Sequence, residues 1–99
     1  MRLIKCLATQ MKDELCGAKE YIILALEYQK EKPQLANLYY QMAQTEYQHY
    51  KNLHDQAISI INETDKTNVP NDMIDSWERK HKKLISKAAE IQIYINMYK

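Results

Sequence analysis

Apolar residues recur at spacings of three and four along three long stretches of this chain, and very little interrupts them. The last stretch is the most regular: Ile74, Trp77, His81, Leu84, Ala88, Ile91, Ile95 and Tyr98 follow one another at three, four, three, four, three, four and three. A period near 3.5 is the buried stripe of a helix packed against other helices, whereas a half-buried strand would alternate every second residue. One Gly and two Pro in 99 residues leave room for few turns. The fold class read from this pattern is all-α: three long antiparallel helices in one domain spanning residues 1–99, over about 3–30, 33–62 and 71–98.

In the first stretch the stripe is Ile4, Leu7, Met11, Ala18, Ile22 and Ala25, with Leu15 and Tyr21 in it, Glu14 on its edge and Tyr28 continuing that edge. From Ile22 to Leu26 every side is apolar, which predicts a second packing surface supplied by a partner subunit. Lys30 to Pro33 breaks the pattern, and Pro33 suits the first turn of a new helix, where its missing N–H is not needed. The second helix has a predicted stripe of Leu35, Leu38, Tyr39, Met42, Glu46, His49, Leu53, Ala57 and Ile60. The polar run from Asn62 to Pro70 is the second loop, after which Asn71 or Asp72 is expected to cap the third helix.

Glu46 and His49 stand one helical turn apart, on one face, within a stripe where charge is costly unless paired or bound. Glu78 and His81 repeat the same Glu-x-x-His step. If the first link is centred near residue 32 and the second near 66, Glu14 is level with Tyr50, His81 with Asn52, and Glu78 with about Asp55. The carboxylates and imidazoles of Glu14, Glu46, His49, Glu78 and His81 then fall within a few turns of each other, a donor set suited to a first-row transition metal. Glu20 matches the height of Glu46 but lies roughly 160° to 200° around its helix from the apolar stripe, so it could serve only if another subunit covered that face.

The order of a helix-1 Glu14, then Glu46-x-x-His49, then Glu78-x-x-His81 resembles the ferritin-like superfamily, including rubrerythrin and the small encapsulated ferritins. The stretches from Asp13 to Tyr21 and from Leu53 to Ala57 are also similar to small ferritin-like proteins of gut bacteria and their phages. This resemblance implies iron, or another metal such as manganese or zinc, held by Glu14, Glu46, His49, Glu78 and His81, with a ferroxidase or iron-handling role. The chain departs from the family in having three long helices and no counterpart of a second lone Glu. A full two-metal set would therefore be one carboxylate short, unless two hairpins join across a homo-oligomer. The alternative is a metal-free helical oligomerisation or interaction module of phage origin.

The remaining composition narrows the classes. A net charge of +1 gives no global field toward nucleic acid or an anionic membrane, so Arg79, Lys80, Lys82, Lys83 and Lys87 are expected to form a solvated helix face. No apolar run approaches a membrane span, and no signal-peptide core follows Met1, so a cytoplasmic protein is expected. Cys6 and Cys16, ten residues apart on one helix, are about 15 Å from each other along its axis, too far for a disulfide. Both are expected reduced. His54, off the stripe, is expected in solvent, and the tyrosines in packing roles. No arrangement for hydrolysis is evident.

Overall fold

The computed structural model describes residues 2–64 and 69–99, so the middle of the second loop lies outside the described residues. Three helices, α1 (Arg2–Tyr28), α2 (Pro33–Glu63) and α3 (Asn71–Met97), form a slender bundle of 56 × 17 × 17 Å. All three match their predicted bounds within two residues. Pro33 is the first helical residue of α2, as its fixed φ favours. The α3 cap differs from expectation. Pro70 occupies the N-cap position, makes no side-chain cap, and accepts the amides of Met73 and Ile74 on its carbonyl. Asn71 and Asp72 are already in the first turn, where the Asp72 carboxylate faces the positive end of the helix dipole.

Contacts at the two ends of the bundle fix the directions. At one end the Gln29 side-chain amide donates to the Lys99 carbonyl (2.6 Å) and the rings of Tyr40 and Tyr98 stack 4.2 Å apart. At the other end Ile4, Ile61 and Ile74 share one cavity wall. So α1 and α3 run in the same direction, with α2 antiparallel to both. Helix α1 is the central element: it packs along both of the others, while α2 and α3 touch sparingly. Eight of its residues are buried, against four each on α2 and α3. The all-round apolar segment of α1 is thereby partly explained within one chain. Ile22 and Ala25 are fully enclosed, although Ile23 remains exposed.

The α1 and α3 stripes lie where the spacing predicts, and so does the second half of the α2 stripe, where Ala57 is buried and Leu53 and Ile60 pack on the core, but the first half of the α2 face is rotated by one residue. The buried line of α2 is Ala36, Ala43, Tyr50 and Ala57, one heptad apart, while Leu35 and Leu38 are exposed. Small side chains let two helix backbones approach closely, since interaxial distance follows the size of the residues at the contact. The face that α2 gives to α1 is therefore the alanine face, and the large apolar side chains flank it. Among the described residues, no helix is long and apolar enough to cross a membrane.

Candidate metal centre

Glu14 sits on α1 between the buried Met11, Leu15 and Ala18, which hold its backbone against α2. On α2, Glu46 and His49 flank the buried Ala43 and Tyr50, so their side chains leave the helix at the rim of the contact. One ligand atom from each of Glu14, Glu46 and His49 lies within 4.8 Å of the other two. The Nδ1 atom of His49 stands 3.4 Å from Glu14 Oε2, with the imidazole about half exposed and the Glu14 side chain 26% exposed.

The only glycine of the chain completes the arrangement. Gly17 is one turn beyond Glu14, and the Glu46 side chain rests over it: a Cβ on Gly17 would stand 3.2 Å from Glu46 Oε2 and 3.5 Å from its Cδ. Glycine inside a helix costs roughly 0.5–1 kcal/mol relative to alanine. Here that cost opens the space through which the Glu46 carboxyl reaches Glu14. Gly17→Ala should leave urea stability unchanged or raise it by up to about 1 kcal/mol. The same substitution should displace the Glu46 carboxyl and weaken metal binding, in a titration followed on the same sample.

Two carboxylates this close cannot both be charged without cost. The Glu46 carboxyl is pushed up to about 7, first by the hydrogen bond to Glu14 that exists only while a proton is retained, then by burial and by the Glu14 charge; His49 opposes the shift. Glu14 Oε2 is enclosed and accepts no hydrogen bond, His49 being within ion-pair range but not bonded to it. A buried oxygen with an unused lone pair is a site for a cation or a proton.

The donor chemistry and dimensions fit an ion. A transition metal takes carboxylate oxygen and imidazole nitrogen at about 2.0–2.2 Å, so two ligand atoms on one ion are at most about 4.4 Å apart. Closing from 4.8 Å requires only a small movement, and the half-exposed His49 ring is free to make it. An ion held by these three donors would keep a position open to solvent.

The other predicted members go elsewhere. His81 is turned to His54, with their Nε2 atoms 2.7 Å apart, and Glu78 is exposed beside the cavity near Ile4. Glu20 is exposed and outside the cluster. Two expectations need correction. His49 lies at the rim of the α2 contact rather than in its buried line, because that line passes through Tyr50. His54 is not in open solvent: its side chain is 26% exposed and lies between Tyr50, whose ring is tilted against it, and His81. Gly17 was legible as an isolated glycine in mid-helix, and His54 as the α2 histidine nearest in height to His81. Both cysteines are free, and the Lys87 ammonium donates to Cys16 Sγ at 3.3 Å. No protein-family model, curated protein or solved structure matches the chain.

Proposed function

We propose that the protein binds a first-row transition metal, iron or a similar ion such as manganese or zinc, through Glu14, Glu46 and His49 in a ferritin-like helical domain. The observation that carries this reading is the enclosed Glu14 Oε2, which has no hydrogen bond and faces a second carboxylate and an imidazole within 4.8 Å. A bound ion would supply Lewis-acid chemistry and, if it is iron, redox chemistry at an open position. The chain's own part is to hold the three donors and to release a proton. Because the Glu46 carboxyl titrates near neutrality, an ion and a proton compete for it, so affinity rises with pH through about 7. Iron handling, in a cytoplasmic homo-oligomer, is the functional setting of this reading. Exposed apolar side chains, among them Ile23, Leu35, Leu38 and Ile93, support the oligomer.

A second reading rests on the same cluster. A shared proton satisfies Glu14 and Glu46 without metal, which leaves a metal-free helical interaction module. Metal analysis of protein purified without chelators, followed by calorimetric titration with Fe(II), Mn(II) and Zn(II), separates the two. Stoichiometric binding lost in Glu46→Ala and His49→Ala supports the metal site; absence of binding by all three ions selects the module. Ferrous oxidation in air no faster than in buffer would limit the site to binding, and light scattering of a monomer would remove the oligomer.

A further inference from the structure

His54 and His81 lie outside the Glu14–Glu46–His49 cluster and make a direct side-chain contact between α2 and α3. Their Nε2 atoms are 2.7 Å apart and the near-coplanar rings meet edge to edge, with Tyr50 tilted against His54 and Trp77 parallel to His81. A hydrogen bond between two imidazole nitrogens needs one N–H and one bare lone pair. The neutral pair and the singly protonated pair both satisfy that condition. The doubly protonated pair cannot, since two N–H groups would then point at each other.

We infer that the His54–His81 pair is a pH-operated latch, holding the first half of α3 against α2 and releasing it when both rings carry a proton.

Three features of the fold favour release of this half alone. The two helices have little other contact to hold them once the bond is lost. The second half of α3 is tied separately, by the Lys19–Glu90 ion pair at 2.8 Å, the Lys87–Cys16 hydrogen bond, and the contacts of Tyr98 and Lys99. A cavity of about 240 Å³, walled by Ile4, Ala8, Ile61 and Ile74, adjoins Trp77 and His81, so those rings have space into which to move.

The surrounding charges are mixed. Lys5 of α1 and Glu78 and Lys80 of α3 line that cavity with His81. Asp75, Arg79 and Lys82 share its opposite side. On α2, Asp55 Oδ1 is 3.8 Å from His54 Nδ1, with Lys51 on the same wall. None of these carboxylates is in hydrogen-bonding contact with His81. Burial, and then the His54 charge, push the His81 pKa below the ordinary 6.5. A depressed histidine pKa means that the latch contributes stability fully above 6.5 and loses it as pH falls through the lowered value. With the two Nε2 atoms facing each other at 2.7 Å, the event that breaks the contact is the entry of the second proton.

Trp77, the one tryptophan of the chain, is stacked 4.9 Å from His81 and reports on it directly. The test follows Trp77 emission and amide hydrogen exchange of metal-free protein between pH 8 and 4.5. The expected result is an emission change with a midpoint below 6.5. Over the same range, exchange in residues 74–84, corrected for its intrinsic pH dependence, should speed by about tenfold or more, as local opening of this half becomes favourable. Protection in α1 and in residues 88–97 should persist. Either His81→Gln or His54→Gln should abolish the transition, because an amide offers both a donor and an acceptor at every pH. His49→Gln, which touches only the metal centre, should keep it. Survival of the transition in both Gln variants, its loss in His49→Gln, or simultaneous loss of protection in all three helices would overturn the latch.

Discussion

Glu46→Gln should raise the melting temperature of the metal-free protein at pH 8.5 and, if the proposed site binds Mn(II) or Zn(II), should abolish the increase those ions would give the unsubstituted chain. Both effects come from the same carboxyl. Its pKa, lifted from 4.5 to about 7, means that the Glu14–Glu46 contact contributes stability fully below 4.5 and loses it as pH rises through about 7. Above that, two carboxylates face each other over Gly17. A glutamine amide keeps a donor for Glu14 at every pH and removes the repulsion. It also removes an anionic ligand, so metal affinity should fall by more than the roughly 10- to 100-fold that loss of an outer-shell partner costs. The opposing titration of His81 is present in both proteins, so the informative quantity is the difference in melting temperature between variant and parent, followed from pH 5 to 8.5. A flat difference would mean that the two carboxyls do not share a proton.

A large loss of stability should follow Ile91→Ala. Ile91 is on α3, fully enclosed, in the line Leu84, Ala88, Ile91 and Ile95 that seats this helix on α1. Truncating an enclosed isoleucine removes its transfer free energy and leaves a cavity, at a cost of about 2–5 kcal/mol. A domain of this size has roughly 5–15 kcal/mol in total, so urea unfolding should show a large fraction of it lost. The melting temperature should drop by roughly 10–25 °C. Two residues along, Ile93 is 62% exposed, and Ile93→Ala should change stability by no more than about 0.5 kcal/mol. Equal effects at the two positions would contradict the assigned face of α3.

The helices and two of the three faces were legible because each depends on a local rule. Proline at the start of α2, the polar run before α3, and the strict three-four spacing from Ile74 to Tyr98 carry their own structural instruction. The first half of the α2 face was not legible, for a physical reason. Hydrophobic periodicity gives most weight to large side chains, and Leu35, Leu38 and Met42 outweigh Ala36 and Ala43, yet close approach of α1 selects the smaller pair. The meeting of Glu14 with Glu46 and His49 followed from rise per residue and loop position alone. The fate of His81 did not. Its height was right to within half a turn, but height does not say which of two α2 histidines it meets, and rotation of α2 decides for His54.

The place of α2 in the bundle also sets how the two polar clusters communicate. The carboxylate cluster bridges α1 and α2, while the histidine pair bridges α2 and α3, two helices each supported chiefly by α1 rather than by each other. The helix common to both clusters is α2, where Tyr50, next to His49 in the chain, contacts His54, so coupling between them would run through α2 and needs two arrangements of that helix or of Tyr50 that both sites bias. On the two proposals made above, an ion would tie α2 to α1 and the second proton on the histidine pair would free α3 from α2. The middle helix by sequence would then be the one that answers to both.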